Sequence, residues 1–397
     1  MKDLIKKFIP PFLISWYHFG LAFLGALFYQ LPSKKIKVIG VTGTNGKSTV
    51  VEMISKILEE AGYQVASLSS IKFKIGEREW QNTLKMTMPG RFKLQRFLRQ
   101  AVNSKCDFAV LEITSEGIKQ YRHKFIDFTA AVLTNLSPEH IEAHGSFEKY
   151  RKAKGKLFQA TKNIHVINID DENREYFLQF PAEKKITYGL NHGDINNKNL
   201  KLNLKLIGDF NIYNALAAIS VGVPQGIDLE ICKRALEEIR GIPGRMEEVI
   251  SMPFKVFVDY AFTPNALEKV YQILKPENSR MICVLGACGG GRDKWKRPVL
   301  GKLAAKYCQE VIVTNEDPYD EDPIEIINQV AAGAREMAIK ILDRREAIRK
   351  SLELAKPNDI VVITGKGCEP WICVKRGEKI SWDDREVVRE EFKKLNL

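Results

Sequence analysis

A glycine-rich segment, VIGVTGTNGKST at 38–49, carries the sharpest chemical signal in this sequence of 397 residues. A β-branched run precedes the glycines, and a helical pattern begins near Lys47. In that order, backbone N–H groups of the turn can hold phosphate oxygens, Lys47 can reach the β- and γ-phosphates, and the Ser48 hydroxyl can bind Mg²⁺. Val41 stands where the strict P-loop pattern has its first glycine. The segment therefore predicts a nucleotide-phosphate site that departs from that pattern at one residue.

Two further residues have side chains suited to metal binding. Glu112 lies in the apolar run FAVLEI (108–113), and His140 follows the next such run, AAVLTN (130–135). A carboxylate oxygen and an imidazole nitrogen are ligands that can hold Mg²⁺ beside nucleotide phosphates. Simpler interpretations stay open, in which Glu112 is a strand end at the surface and His140 caps a helix.

A sheet must position these residues, and the sequence predicts one. From Lys37 onward, short β-branched runs alternate with amphipathic helical patterns, which is typical of an α/β fold with a largely parallel sheet. The alternating segment LKLNLKLIG (200–208) predicts a further strand with one wet face. The other predicted strands lie at 36–41, 108–113, 130–135 and 165–170, and the predicted helices at 47–61, 91–104, 147–160, 171–179, 209–222 and 228–240.

A break in this pattern predicts a domain boundary. The segment GIPG (241–244) interrupts the helical pattern, and strand–helix alternation restarts after it. We expect an apolar N-terminal helix segment at 1–35, a P-loop central domain with a mostly parallel sheet at 36–243, and a Rossmann-like α/β C-terminal domain at 244–397.

Composition and charge narrow the class of protein. Apolar residues make up 45% and charged residues 28%, which excludes a largely disordered chain and a membrane protein with many spans. The net charge of +12 favours anionic partners. The seven cysteines are odd in number and contain no Cys-x-x-Cys pair, so we expect neither a disulfide framework nor a zinc site, and a reducing cytosol as the location.

The N-terminal run is the exception to this average composition. No Asp, Glu, Lys or Arg occurs from Phe8 to Ser33, and the run is long enough to cross a bilayer, which takes about 20 apolar residues. The paired prolines Pro10 and Pro11 argue against a cleaved signal peptide. Two interpretations stay open. In the first, residues 8–31 span the cytoplasmic membrane or associate with its inner face. In the second, they form an apolar helix packed on the protein's own domain or on a partner.

The phosphate loop also carries a family resemblance. TGTNGKST after Val41 resembles the ATP-binding loop of the Mur ligase family, the amide-bond-forming enzymes of peptidoglycan precursor synthesis, which also includes folylpolyglutamate synthases. Within the family the chain is most similar to the E-type ligases, the UDP-N-acetylmuramoyl-tripeptide synthetases. Further matching segments follow in chain order: LEITSEG (111–117), LTNLSPEHIEAHGSFEKYRKAK (133–154), GDFNIYNALAA (208–218), GIPGRMEEV (241–249), VDYAFTPNALEKV (258–270), GACGGGRDKWKRP (286–298) and TGKGCE (364–369).

The resemblance implies an activity and a set of site residues. The implied cofactors are ATP and Mg²⁺, and Lys154 corresponds to the lysine that is carbamylated in this family. The implied catalytic residues are Lys47, Lys154, His140, Glu112 and Arg245. Nucleotide binding is implied for Gly43, Thr44, Asn45, Gly46, Lys47, Ser48, Thr49, Asn211, Asp259 and Tyr260, metal binding for Ser48, Glu112, His140 and carbamylated Lys154, and substrate binding for Thr87, Ser115, Arg122, Asp317 and Glu369. Two alternatives stay open: Lys154 is a solvated charge in a basic run, and Asp259 or Tyr260 caps the helix predicted at 264–274.

Departures from the family pattern concern the substrates. Only about forty residues precede the loop, so we expect no UDP-binding domain there. The family's Asp-Asn-Pro-Arg segment reads Glu316-Asp317-Pro318-Tyr319, which removes the bidentate partner of a diaminopimelate carboxylate. The acidic residues at 316–322, together with Glu369, predict a pocket for a cationic side chain such as that of lysine or ornithine. The alternative is an acidic surface loop before a helix that begins at a proline.

We therefore expect an ATP-dependent carboxylate-amine ligase that adds a free amino acid to a muramoyl-peptide acceptor through an acyl phosphate, with no nucleic-acid partner. One alternative is a folylpolyglutamate-synthase-like or other amino-acid ligase. Another is a non-catalytic nucleotide-binding subunit of a membrane complex. The joint presence of Lys47, Glu112, His140 and Lys154 speaks against the last alternative.

Overall fold

The computed structural model describes residues 10–84 and 86–395. It divides into two compact units, Met1–Ser137 with Glu148–Ile239, and Pro138–Phe147 with Arg240–Leu397. The expected domain bounds at 35/36 and 243/244 stay predictions. The sequence did not predict that 138–147, which lies within the expected central domain, would group with the second unit.

The strands of the described chain follow the predicted alternation with helices. In chain order they are β1 (Lys37–Thr42), β2 (Val65–Leu68), β3 (Lys72–Ile75), β4 (Arg78–Gln81), β5 (Phe108–Glu112), β6 (Phe128–Leu133), β7 (Ile164–Asn168), β8 (Lys184–Gly189), β9 (Ile195–Asn196), β10 (Glu247–Ile250), β11 (Lys255–Asp259), β12 (Met281–Leu285), β13 (Glu310–Val313), β14 (Ala338–Lys340), β15 (Ile360–Thr364), β16 (Trp371–Cys373) and β17 (Lys379–Ser381).

The helices lie between these strands, apart from one that precedes β1 and one at the C-terminal end. In chain order they are α1 (Pro11–Phe28), α2 (Lys47–Glu60), α3 (Arg91–Asn103), α4 (Ser115–Lys119), α5 (Ile141–His144), α6 (Phe147–Ala160), α7 (Arg174–Leu178), α8 (Asn197–Leu200), α9 (Asp209–Gly222), α10 (Leu229–Glu237), α11 (Pro264–Leu274), α12 (Lys296–Tyr307), α13 (Pro323–Ala334), α14 (Arg344–Leu354) and α15 (Asp384–Lys394).

The first unit is built on a sheet that has nine strands within the described residues, in the order β4-β3-β2-β5-β1-β6-β7-β8-β9. Strand β3 pairs antiparallel with both β2 and β4, and the remaining pairs are parallel. The central strand β5 is buried along its whole length, which explains its continuous apolar run. The carboxyl ends of β1, β5 and β6 therefore meet at one edge of the sheet, where the predicted phosphate site lies.

The second unit has a sheet of six strands in the described chain, in the order β10-β11-β15-β12-β13-β14. Only β10 pairs antiparallel among these described strands. Its β-branched strand residues pack with α14 and α15 in one core. The α/β fold predicted from the sequence, with a mostly parallel sheet followed by a second α/β region, is confirmed.

The strand predicted at 200–208 is wrong. Leu200 ends α8, and residues 201–208 lie outside any helix or strand, although half-buried and exposed residues alternate along them. Their backbone donates to side chains instead of to a neighbouring strand, as Leu202 N–H does to Asn197 Oδ1 at 3.0 Å and Asn203 N–H does to Glu237 Oε1 at 3.1 Å. The alternating sequence correctly indicated one half-buried face, but no strand lies beside this segment in the described chain to pair with it.

The helix α1 covers most of the apolar N-terminal run; Phe8 and Ile9 lie outside the described residues. Pro11 begins the helix at a position where no N–H is needed. At its other end, the Arg99 guanidinium donates to the Tyr29 carbonyl at 3.0 and 2.7 Å and to the Gln30 carbonyl at 3.1 Å, so α3 caps α1. Among the described helices, none has both the length and the apolar character needed to span a membrane.

Candidate active site

The phosphate loop lies between β1 and α2, and its glycines are required by close neighbours. Gly43 has φ of 150°, and a Cβ atom there would lie 1.9 Å from Thr134 Oγ1. At Gly46, which has φ of 80°, a Cβ atom would lie 2.4 Å from Asn214 Oδ1. Only glycine fits this backbone at both positions. Val41 stays within β1, so the departure from the strict pattern falls in the strand and not in the turn.

The end of β6 holds the loop from the other side. Asn135 makes a reciprocal pair with Asn45, because its Oδ1 accepts from Asn45 N–H and its Nδ2 donates to the Asn45 carbonyl, each at 3.0 Å. The Thr134 hydroxyl donates to the same carbonyl at 2.6 Å. Thr44 Oγ1 lies 3.1 Å from the Tyr150 hydroxyl of α6. The sequence analysis did not single out Thr134, Asn135 or Tyr150.

Glu112 lies at the end of β5 and contacts the first turn of α2. Its Oε2 accepts from Ser48 Oγ at 2.8 Å and from Ser70 N–H at 2.9 Å, while its Oε1 lies 4.0 Å from Lys47 Nζ. Glu112 is only 3% exposed, so it is not a strand end at the surface. The structure therefore brings Lys47, Ser48 and Glu112 together, as the metal hypothesis requires.

Lys154 reaches the same loop from α6. Its Nζ donates to the Gly43 carbonyl at 2.7 Å and lies 4.7 Å above the Tyr150 ring. The side chain is 1% exposed, which rules out the solvated-charge alternative. Burial, followed by the charge of Lys47, holds the pKa of Lys154 well below its ordinary value, against a smaller opposing effect of Glu112. A buried amine with a depressed pKa is a nucleophile that can react with carbon dioxide.

The side chains beside the phosphate loop are chemically suited to bind a divalent cation. The Ser48 hydroxyl and the Glu112 carboxylate are the hard oxygen donors that Mg²⁺ takes, with phosphate oxygens and water completing its shell. Within 10–84 and 86–395, no three His, Cys, Asp or Glu residues lie close enough together to hold a metal alone. A carbamate on Lys154 would add the missing anion.

The helix α9 contributes two asparagines behind the loop. Asn211 Oδ1 accepts from Asn214 Nδ2 at 3.1 Å, and Asn211 Nδ2 donates to the Ile207 carbonyl at 2.8 Å. Both residues are 6% exposed. Asn211 therefore orients Asn214, whose Oδ1 is the atom that faces Gly46.

Three of the residues expected to bind substrate lie near one another in the first unit. Ser115 begins α4, behind Thr114, whose side chain caps that helix. Arg122 donates to the Met88 carbonyl and, at 3.0 Å, to Met86 Sδ, so it holds the loop that carries Thr87. Burial lowers the pKa of Arg122 to about 10.

In the second unit, Asp259 fixes a turn. Its carboxylate accepts from Met246 N–H at 2.7 Å and from Ala261 N–H at 2.6 Å, and burial raises its pKa. The N-cap of α11 is Thr263, so the alternative that Asp259 or Tyr260 caps this helix is wrong.

The turn fixed by Asp259 carries Arg245. The Arg245 guanidinium lies 4.2 Å above the ring of Tyr260, whose hydroxyl donates to Glu369 Oε1 at 2.8 Å. The structure thus brings Asp259, Tyr260, Arg245 and Glu369 into one cluster.

The acidic pocket expected at 316–322 does not form. Lys366 Nζ donates to both oxygens of Asp317, at 3.0 and 2.9 Å, and to Glu369 Oε2 at 2.5 Å. Glu316 accepts from Cys288 Sγ, and Glu321 pairs with Arg297 at 2.9 Å. Asp322 caps α13, which is the structural alternative that the sequence left open. Asp317, Glu369 and Glu321 are therefore already paired with cations, which weakens the basis for the expected preference for a cationic side chain.

Arg292 is the functional candidate that the sequence analysis missed. It lies in GACGGGRDKWKRP near Tyr260, Cys288 and Tyr319, and its guanidinium makes no ion pair or side-chain hydrogen bond with any described residue. The signal that was available is its place in a glycine-rich loop between β12 and α12, at the carboxyl end of a parallel strand.

The segment 138–147 is attached to the second unit by buried charge. Glu139 Oε1 accepts from Lys296 Nζ at 2.8 Å, and the two side chains are 3% and 2% exposed. The Asp293 carboxylate accepts from the N–H groups of Ile141 and Glu142, at 3.2 and 2.9 Å. His140 precedes α5 with φ of 57°, and its side chain does not cap that helix. His140 therefore stands at the N-cap position, as the helix-cap alternative has it, but its side chain makes no capping hydrogen bond.

The fold and these residues match known protein families. Residues 41–222 match the Mur ligase middle domain, and residues 244–367 match the Mur ligase glutamate ligase domain. The chain belongs to the Mur ligase family, a class of ATP-dependent ligases, and is itself a ligase. Two E-type relatives and two solved structures illustrate the similarity.

The relatives are similar over most of their length. The UDP-N-acetylmuramoyl-L-alanyl-D-glutamate–2,6-diaminopimelate ligase of Syntrophomonas wolfei is 40% identical, over 94% of this chain and 81% of that protein. The UDP-N-acetylmuramyl-tripeptide synthetase of a Roseiflexus species is 34% identical, over 98% and 84%.

Among solved structures, a diaminopimelate ligase of the same name superposes with a TM-score of 0.59 at 30% identity, covering 91% of this chain and 79% of that one. The folylpolyglutamate synthase of Mycobacterium tuberculosis gives a TM-score of 0.69 at 18% identity, over 87% and 92%. The second likeness concerns the fold alone.

Proposed function

We propose that this ligase joins a free amino acid to the peptide carboxylate of a muramoyl-peptide acceptor, in the cytosol, with ATP and Mg²⁺. The observation that carries the proposal is the buried Lys154 amine beside a phosphate loop whose Ser48 is bonded to Glu112. The names of the relatives, which describe UDP-muramoyl-peptide ligases, support the choice of acceptor.

In the first step, the protein must balance the negative charge of the ATP phosphates. The N–H groups of the loop and of the start of α2 bind phosphate, and Lys47 matches the charge of the β- and γ-phosphates. The acceptor carboxylate attacks the γ-phosphorus, an acyl phosphate forms and ADP leaves. Bound Mg²⁺ would neutralise phosphate charge during this transfer, held by Ser48, Glu112 and, as proposed from the family resemblance, His140.

Lys154 acts after it has reacted with carbon dioxide. Its neutral amine adds to carbon dioxide and loses a proton, which yields an anionic carbamate in place of a buried cation. The depressed pKa of Lys154 supports this step, because only the unprotonated amine reacts. The carbamate supplies a second anionic oxygen group for the metal beside the Glu112 carboxylate.

The second step needs a positioned amino acid. We assign its carboxylate to Arg292, which makes no ion pair or side-chain hydrogen bond with any described residue. Glu369, whose side chain is 33% exposed beside Tyr260, is a further contact of the amino acid. The unprotonated amine of the amino acid attacks the acyl carbon, the C–N bond forms as the acyl C–O bond breaks, phosphate leaves, and the nitrogen loses a proton to solvent. Asp259 is a positioning residue, because its Oδ2 accepts from Met246 N–H, next to Arg245, and its Oδ1 accepts from Ala261 N–H.

The acceptor peptide lies against the loop that contains Thr87, next to Ser115. Arg122 positions this loop through its contacts with Met86 and Met88, which supports its inclusion in the acceptor site as a structural residue.

A phosphate-release screen tests the proposed function. The protein is mixed with ATP, Mg²⁺, UDP-linked muramoyl dipeptide, and one amino acid at a time, including lysine, ornithine and meso-diaminopimelate. We expect phosphate release that needs both the dipeptide and one amino acid, with an amide product of the corresponding mass. Release that needs a folate acceptor instead, or none with any muramoyl acceptor, would overturn the proposal.

A further inference from the structure

The helix α1 leaves one face uncovered. Its small residues Ala22, Gly25 and Ala26 are buried against the first unit, whereas Trp16 is 73% and Phe28 69% exposed. Among the described side chains of α1, the large apolar residues that are at least two-fifths exposed are Leu13, Trp16, Tyr17, Phe19, Phe23, Leu24, Leu27 and Phe28. Leu13, Trp16, Tyr17, Leu24 and Leu27 are related by spacings of three, four and seven residues, so they form a stripe, here called the α1 face. A contiguous apolar surface of this kind on a globular protein marks an interaction site.

Specific contacts hold α1 in this orientation. Ser15 Oγ lies 2.9 Å from the Tyr121 hydroxyl, His18 contacts Arg91, and Phe19 and Phe23 pack on Phe125. Together with the Arg99 cap, these contacts turn the small residues inward. The α1 face is therefore presented by a helix fixed on the protein, not by a helix that is free to insert across a bilayer.

The surroundings of the α1 face are cationic. No Asp or Glu occurs in 4–51 or in 80–106, the two stretches that contain α1 and its supporting helix α3. Lys34, Lys35, Lys93 and Arg96 are exposed. A cleft of about 380 Å³ beside α1 joins apolar Leu21, Met86 and Phe92 to cationic Arg91, Lys93 and Arg122.

We propose that the α1 face binds an anionic membrane surface, with α1 lying in the plane of the interface. Aromatic and aliphatic side chains enter the boundary between headgroups and acyl chains, and the lysines and arginines pair with lipid phosphates. A second copy of the chain is a poorer occupant, because two such surfaces would bring like charges together with no acidic residue in either stretch to pair them.

Co-sedimentation of the full chain with vesicles tests this inference. We use phosphatidylglycerol mixed with phosphatidylcholine, and phosphatidylcholine alone. The variant Trp16→Glu/Leu24→Glu changes the α1 face, and Lys93→Glu/Arg96→Glu changes only the charge on α3. Met252→Glu, at a residue 76% exposed in the second unit, is the matched control.

We expect wild type and Met252→Glu to sediment with the anionic vesicles, and each double variant to bind them about tenfold or more weakly, with binding that falls as salt rises. Melting temperatures check that the variants fold; should the α1-face variant unfold, the α3 variant decides alone. Wild type that stays in the supernatant, or an α3 variant that binds as wild type does, overturns the proposal. So does a wild-type dimer that ignores vesicles and that Trp16→Glu/Leu24→Glu makes monomeric.

Discussion

At the scale of single residues, the site depends on side chains whose charge the fold has altered. Lys154 is the main example, because full burial and the neighbouring Lys47 both disfavour its protonated form. Arg292 is the opposite case, a guanidinium that makes no ion pair or side-chain hydrogen bond with any described residue. Lys154 can therefore be converted into an anionic carbamate, and Arg292 can bind the carboxylate of a substrate.

Replacing Lys154 by alanine tests the first of these roles. We expect kcat to fall about 100-fold or more, because an anion beside the phosphate loop is lost, and to recover in part with added acetate. Carbon-13 bicarbonate should give a carbamate NMR signal in wild type and none in the variant. Lys156→Ala, at an exposed lysine on the same helix, should leave both readouts unchanged. An active enzyme without a carbamate signal would contradict the role given to Lys154.

Replacing Arg292 by alanine tests the second role. We expect KM for the amino acid to rise about tenfold or more, with KM for ATP unchanged, because a charged hydrogen bond to the substrate carboxylate is removed. Arg292→Lys should recover part of the loss. Lys294→Ala, at a neighbouring residue with a 56% exposed side chain, is the control. An unchanged KM for the amino acid would refute the assignment.

At the scale of elements, the segment 138–147 shows how one buried pair can attach a loop. Burial raises the pKa of Glu139 despite Lys296, and Glu139 Oε2 has no hydrogen-bond partner. Removing Lys296 would leave a buried carboxylate without its counter-charge, which costs about 3 kcal/mol or more. The pair therefore matters most when Glu139 is ionised.

Lys296→Met should loosen this segment in a pH-dependent way. Because the pKa of folded Glu139 is raised, the folded state binds more protons than the unfolded state, and stability falls as pH rises from the unfolded pKa towards the folded one. We expect faster hydrogen exchange at Ile141 and Glu142 in the variant, with a larger effect at pH 7 than at pH 5. Lys302→Met, at an exposed lysine of α12, should exchange as wild type does. The same ratio of variant to wild-type exchange rates at pH 5 and at pH 7 would contradict the ionisation of Glu139.

The sequence predicted what local patterns encode and missed what distant contacts decide. The loop at 43–49 was predictable, because strand, glycines and lysine follow one another along the chain. Lys296 and Glu139 are 157 residues apart, so no local pattern indicates their pairing. The acidic residues at 316–322 misled the prediction because the compensating Lys366 lies about fifty positions further on. The run that forms α1 contains no charged residue to mark a solvent face, so the sequence did not predict which face of this helix would be buried.

At the scale of the whole molecule, the chain must couple ATP cleavage to amide formation. The first unit carries the phosphate loop with Lys47, Glu112 and Lys154, and the second carries Arg245, Arg292 and Glu369. The net charge of +12 suits substrates and surfaces that are anionic. ATP, a muramoyl carboxylate and an anionic membrane all meet that description.

Oxygen transfer tests the central claim most directly. The acceptor dipeptide is labelled with oxygen-18 in the carboxylate that becomes the amide, and the released phosphate is analysed by mass spectrometry. An acyl phosphate transfers one carboxylate oxygen to phosphorus when the amine displaces phosphate, so we expect one labelled oxygen in each phosphate released. Phosphate without label, formed together with the amide product, would show that the acceptor carboxylate is not phosphorylated and would contradict the proposed mechanism.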